Sequence, residues 1–109
     1  MASPLWQGAD MLHHVVLLRF TAATTPSDIA EISQRFAALP ARIAGIQSFA
    51  GGPDCSPEGL QQGFTHGWLL SFADAAARDG YLHHPAHLDF VSFLKPFVDD
   101  VLVSDFHAS

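Results

Sequence analysis

Seven consecutive residues, Tyr81-Leu82-His83-His84-Pro85-Ala86-His87, contain three of the chain's seven histidines and its only tyrosine. Imidazole gains or loses a proton near neutral pH, and a phenol can donate a hydrogen bond to a developing oxyanion. A His–Tyr pair in an apolar cleft is the equipment for removing a proton beside a carbonyl. Two more histidines, His14 and His66, fall in segments that alternate like strands. If their larger-residue faces meet the helices, they lie below Tyr81 and His87, in a cavity lined by Phe36, Trp68, Leu70 and Phe90. Burial there favours neutral imidazole, which suits a base. The competing reading for each histidine is a hydrogen bond to a carbonyl in a packed core. His13 points to the opposite strand face. His83 and His84 flank Pro85, where a structural role in capping the next helix is expected. His107 lies near the chain end and is expected in solvent.

Other chemistries find less support. His84 and His87 are three apart and His83 adds an imidazole, but Pro85 breaks the helix. Only Asp89 offers a carboxylate at ligand spacing, so no metal is expected. Cys55 is remote, and its neighbours Asp54 and Glu58 disfavour a thiolate. No Gly-x-Ser-x-Gly elbow is present. Gly51-Gly52-Pro53 lacks the lysine of a phosphate loop, and no cofactor is expected.

These residues need a scaffold. Leu12–Phe20 is short, rich in β-branched and aromatic residues, and apolar on both faces, which reads as a strand covered on both sides. Thr25-Pro26-Ser27-Asp28 opens a helix with a cap, a proline at the first position and an acid at the dipole's positive end. Ile29, Ile32, Phe36 and Leu39 continue it at helical spacing, and Pro40 is expected to end it. Ile46–Ala50 reads as a second strand. A polar loop from Gly51 to Gly63 is expected next. Phe64–Phe72 alternates clearly, with Phe64, His66, Trp68, Leu70 and Phe72 on one face. Asp74 caps another helix, which Pro85 interrupts; a further helix runs from about Ala86 to Phe97. Val101–Phe106 is the closing strand. The order β-α-β-β-α-β, with the second helix split, is the ferredoxin-like arrangement. The fold class is therefore α+β: a four-stranded antiparallel sheet with helices on one face. Its bare face is expected to bury itself on a partner's sheet.

The chain has 109 residues, enough for one domain. Residues 1–10 lack periodicity and read as an extension, with the domain spanning 11–109. Charged residues make up 15% against 49% hydrophobic. The usual charged fraction is about 25%, so apolar surface is left over and a homodimer is expected. Net charge is −6 and the five cations are scattered, which argues against nucleic acid and anionic membrane surfaces. No apolar run reaches the roughly 18 residues of a membrane span. With no secretory signal in view, the expected location is cytoplasmic.

Four blocks in order, His14-Val15-Val16-Leu17-Leu18-Arg19-Phe20, Gly63-Phe64-Thr65-His66, Tyr81 to His87 and Asp99 to Phe106, resemble the stress-responsive A/B barrel (Dabb) family. The resemblance covers roughly Met11 to Phe106. It implies a dimeric α/β barrel, two ferredoxin-like units packed sheet against sheet. One family member is a plant polyketide cyclase that performs an aldol cyclisation with a histidine and a tyrosine. By motif these match His87 and Tyr81, and its further pocket histidines match His14 and His66. A pocket tyrosine expected on the first helix is absent; Phe36 is the nearest aromatic. The resemblance implies a dimer that binds a small apolar carbonyl or phenolic ligand and transfers a proton without a cofactor, in cyclase-like or lyase chemistry. A non-catalytic stress-response barrel stays open. So does a monooxygenase-like dimeric barrel, by fold analogy.

Overall fold

The computed structural model describes residues 11–108. The extension expected over residues 1–10 lies outside them. The elements are β1 (Leu12–Phe20), α1 (Pro26–Ala37), α2 (Leu39–Arg42), β2 (Ser48–Pro53), β3 (His66–Phe72), α3 (Ala75–His83), α4 (Pro85–Leu94), a 3₁₀ turn (Lys95–Phe97) and β4 (Val98–His107). The strands form one antiparallel sheet in the order β2-β3-β1-β4. The fold is the α+β, ferredoxin-like arrangement expected from the element order. Among the described residues no helix is long and apolar enough to cross a membrane.

Local chemistry sets the helix starts. Thr25 Oγ1 accepts from the Asp28 N–H at 3.1 Å, and the Asp28 carboxylate accepts from the Thr25 N–H at 3.0 Å. This reciprocal cap is worth about 1 kcal/mol. Asp74 caps α3 by accepting from Ala77 N–H at 2.8 Å. Ile32, Phe36 and Leu39 then bury one face of the α1–α2 stretch. From the sheet come Leu12, Val16, Leu18, Trp68, Leu70 and Phe72, all buried on the helix-facing side. Fully burying each large side chain contributes about 1.5–3 kcal/mol. The pleat therefore runs as the alternation predicts. His14 and Trp68 share the covered face; His13, Val15, Leu17 and Leu69 share the bare one.

Four boundaries differ from the sequence expectation. Pro40 does not end the helical stretch: it sits in α2 at a position whose N–H has no helical partner, so the ring costs little. The second strand begins at Ser48 rather than Ile46 and continues through Gly51-Gly52-Pro53, which had read as loop. Gly51 pairs with Trp68, and its backbone crosses the indole so closely that a Cβ there would lie 2.1 Å from Trp68 Cδ1. A glycine in a strand often marks such an approach, and Pro53 is tolerated because β2 is an edge strand. β3 starts at His66, two residues late, and β4 is longer than expected, Val98–His107.

Gly51→Ala is expected to lose about 1–3 kcal/mol of unfolding free energy through overpacking against Trp68. Gly52→Ala, whose Cβ would meet nothing within 4 Å, is expected to stay within about 0.5 kcal/mol. Urea denaturation followed by tryptophan fluorescence measures both.

Candidate active site

A cavity of about 700 Å³ lies between β1 and β4 on one side and α3, α4 and the 3₁₀ turn on the other. The register builds its floor. His14 pairs with Asp105, Val16 with Val103 and Leu18 with Val101, so three cross-strand pairs point into the same space. The helices build its roof at helical spacing, with Arg78, Tyr81 and Leu82 from α3 and His87, Phe90, Val91 and Leu94 from α4. Phe36 closes one end. Lys95, Asp99 and Asp100 add charged groups to the wall.

The Tyr81–His87 block has a division of labour that follows from Pro85. Proline has no N–H, and α3 stops at His83. His84 turns extended and caps α4, its Nδ1 accepting from the Ala86 N–H at 3.0 Å. In an unbroken helix that N–H would go to the Leu82 carbonyl. The freed Leu82 oxygen instead accepts from His87 Nδ1 at 3.1 Å. A carbonyl only accepts, so Nδ1 carries the proton and Nε2 keeps the lone pair. His83 Nδ1 donates to the Asp79 carbonyl at 2.9 Å. The expectation that His83 and His84 serve the break agrees with these bonds.

Tyr81 and His87 touch, with ring centroids 4.3 Å apart. Tyr81 is 1% exposed, and burial pushes its phenol far above its ordinary value, so it stays protonated. Among the described residues no side-chain hydrogen bond is made by its hydroxyl, and Tyr81 lines the cavity. Burial lowers the pKa of His87 and outweighs the Leu82 hydrogen bond, which raises it; nearby His14 lowers it further. His14 is buried against Tyr81, ring to ring at 5.8 Å, and its Nδ1 donates to Asp105 Oδ1 at 2.7 Å. The other Asp105 oxygen accepts from Arg78 Nη1 at 2.7 Å. Burial pushes the Asp105 carboxyl up, but the hydrogen bonds from Arg78 and His14 prevail and hold it below its ordinary value.

The structure thus brings together His14, Tyr81, His87, Phe36 and Phe90. It does not bring His66 and Trp68 to this cavity. Both lie on the covered face, but one strand further over. There His66 stacks on Trp68 at 6.0 Å and meets Phe20 edge-on at 5.2 Å, while Trp68 packs on Phe36 at 5.0 Å. The His66 imidazole shares a 3.0 Å hydrogen bond with Thr65 Oγ1, and burial lowers its pKa. Leu70 also faces the core away from the cavity wall. Arg78 and Asp105 are the site residues that the sequence reading missed. The signal for Asp105 was available: aligning Val101, Val103 and Asp105 against Leu18, Val16 and His14 places a lone acid opposite a histidine. Among the described residues no three histidine, cysteine or acidic side chains converge as a metal requires.

The family model for the stress responsive A/B barrel domain matches residues 12–108. The chain belongs to this family. It is 36% identical over 93 residues to stress-response A/B barrel domain-containing protein HS1 of Arabidopsis thaliana, covering 85% of each chain. It is 24% identical over 93 residues to olivetolic acid cyclase of Cannabis sativa, covering 85% of this chain and 92% of that one. Among solved structures, that of At3g17210 from Arabidopsis thaliana superposes with a TM-score of 0.86 at 34% identity, over 90% of this chain and 95% of the other. A hydroxynitrile lyase from Passiflora edulis shares the fold at TM-score 0.86 and 20% identity, over 93% and 95%. A dimeric ferredoxin-like protein from Jannaschia matches at TM-score 0.78 and 29% identity, over 88% and 97%.

Within this Dabb domain the Tyr81 hydroxyl is separable from its ring. Tyr81→Phe is expected to change unfolding free energy by less than about 1 kcal/mol, because no protein hydrogen bond is lost. Tyr81→Ala removes a fully buried ring and is expected to cost about 3–5 kcal/mol. Equilibrium chemical denaturation distinguishes the two.

Proposed function

We propose that the cavity binds a small, mostly apolar carbonyl- or phenol-bearing compound and transfers a proton on it without a cofactor. One observation carries this reading. The Leu82 carbonyl commits His87 Nδ1–H and leaves Nε2 as the basic nitrogen of a ring that packs on Tyr81 in the wall of a mostly apolar cavity. In the proposed step, a proton on the carbon beside a carbonyl passes to His87 Nε2. The electron pair moves onto the carbonyl oxygen, and the Tyr81 hydroxyl donates a hydrogen bond to it. Return of the proton to a different carbon gives an isomerase outcome; attack of the enolate carbon on a second carbonyl, with the His87 proton passing to the new alkoxide, gives a cyclase outcome; and collapse of the enolate with loss of a β-oxygen that takes the proton gives a lyase outcome. Relatives named as a cyclase and a hydroxynitrile lyase support this class of chemistry.

The low His87 pKa supports the role of base. A base is active while unprotonated, so proton transfer should persist below the ordinary histidine value of 6.5 and fall only at more acidic pH. The check is a thermal-shift screen against phenols, aromatic acids and β-keto compounds. For each ligand found, α-proton exchange into D₂O is then followed across pH. Exchange is expected to fall at least about 100-fold in His87→Ala, the lower range for a general base. If no compound stabilises the parent chain more than it stabilises His87→Ala, the ligand reading fails and the non-catalytic barrel stands.

The proposal extends to assembly. His13, Val15, Leu17, Leu69, Leu102 and Phe106 form a bare sheet face, with Leu69, Leu102 and Phe106 at 40%, 42% and 51% exposure. We infer that this face packs on the same face of a second copy. The dimeric description of the Jannaschia neighbour supports it. Sedimentation at micromolar concentration should show a dimer, and Leu102→Glu should shift it toward monomer. A parent chain that sediments as a stable monomer refutes the interface.

A further inference from the structure

Besides His14, Tyr81 and His87, the cavity wall carries the charged side chains Arg78, Asp79, Lys95, Asp99, Asp100 and Asp105. All but one are matched. Arg78 holds Asp79 at 2.9 Å and Asp105 at 2.7 Å. Arg19, from the bare face of β1, holds Asp99 at 3.2 Å and Asp100 at 3.3 Å. Lys95 is the exception: among the described residues it forms no ion pair.

The placement of that cation follows from helical spacing. His87, Val91 and Lys95 fall at i, i+4 and i+8, on one ridge of α4 and the turn that continues it. Lys95 keeps helical dihedrals, φ −47° and ψ −47°, so the ridge runs unbroken to it. Eight residues of helix rise about 12 Å. Helical side chains lean toward the N-terminus, so the long lysine stem leans back toward His87 and narrows that gap. Between the two ends the wall is apolar, with Val91 and Leu94 above and Leu18 and Val101 below. Lys95 itself is exposed; its stem can lie along this wall while its head stays wet.

We propose that the ligand is an acid: an apolar keto compound whose carboxylate, at the end remote from its carbonyl, pairs with Lys95. The inference rests on the proton-transfer reading of the cavity and adds the charge of its substrate. An orientation comes with it. A carboxylate at Lys95 lays the apolar middle of the ligand along Val91 and directs the carbonyl toward Tyr81 and His87. The acids of the wall do not forbid an anion there. Asp79 and Asp105 are held by Arg78. Asp99 and Asp100 share Arg19, and the surplus charge of that trio is screened by water, their side chains being 61% and 51% exposed. Lys95 alone among the wall's charged groups can receive an anion without giving up a partner. It is a specificity-determining residue, with no part in the proton transfer.

The test is isothermal titration calorimetry of the full chain with 5-benzoylpentanoate and its methyl ester, two aryl ketones that differ in terminal charge. The acid is expected to bind the parent about fivefold more tightly than the ester, the worth of one partly exposed ion pair. Lys95→Met keeps the apolar stem at an exposed position, so it is expected to fold as the parent does and to bind acid and ester alike. Arg42→Met removes an exposed cation outside the cavity and is expected to keep the preference. The inference is overturned if the parent binds acid and ester alike, if Lys95→Met keeps the preference, or if Arg42→Met abolishes it. A parent that binds neither, while another compound of the ligand screen binds, also overturns it and leaves the proton-transfer reading standing. If no screened compound binds, that reading falls and this one with it.

Discussion

The site depends on a missing hydrogen bond. Pro85 interrupts what would be one long helix and leaves the Leu82 carbonyl without its helical partner. Leu82 is half-buried, where an unpaired carbonyl is costly, and His87 donates to it. That single bond fixes the ring's orientation and its tautomer together. His84 completes the arrangement by capping α4 with its own imidazole. A packing necessity at a helix break therefore yields a ring nitrogen with a lone pair to spare. Structural and chemical readings of His87 need not be rivals: one nitrogen serves the fold, and the other is left for the role proposed above.

The interior divides along the sheet. Over β2 and β3 it is filled with aromatic rings: Phe36 packs on Trp68, Phe49 and Phe90 within about 5 Å, and Gly51 makes room for the indole. Over β1 and β4 the helices stand away from the floor. There the covered-face residues of β4 remain half exposed, Val101 at 51% and Val103 at 53%. The cavity is the space that the aromatic half does not fill. This division explains why His14 and His66 have different surroundings although both lie on the covered face. One strand's width puts His66 among rings and His14 beside a carboxylate.

Much of the fold was legible in the residues. Alternation gave β1 to the residue and assigned the covered faces of β1 and β3. The caps at Thr25 and Asp74 marked helix starts. Turn chemistry misled where tertiary packing overrode it: Gly51-Gly52-Pro53 looks like a loop until Trp68 lies across it, and an edge strand accommodates the proline. In the site, the Tyr81–His87 pairing and its approach to His14 could be argued from spacing. The Arg78–Asp105 link could not, because it depends on the offset between two strands whose paired residues are 78 or more apart in sequence and on which turn of α3 stands above them. Lateral position within a face is likewise absent from a period-two pattern, and for that reason alternation alone does not separate His66 and Trp68 from the cavity residues.

β4 carries the two patterns on alternate residues. Its odd positions, Val101, Val103 and Asp105, face the cavity, and its even positions, Leu102, Ser104 and Phe106, face outward. A slip of one residue against β1 would invert both at once, exposing Asp105 on an apolar surface and pushing Leu102 into the space above Val16. The irregularity between Arg19 and Phe20, where the ladder shifts, marks one end of the correct alignment. Because one strand carries both patterns, cavity shape and surface character can diverge independently in descendants of this chain, each drawing on its own set of alternate codons.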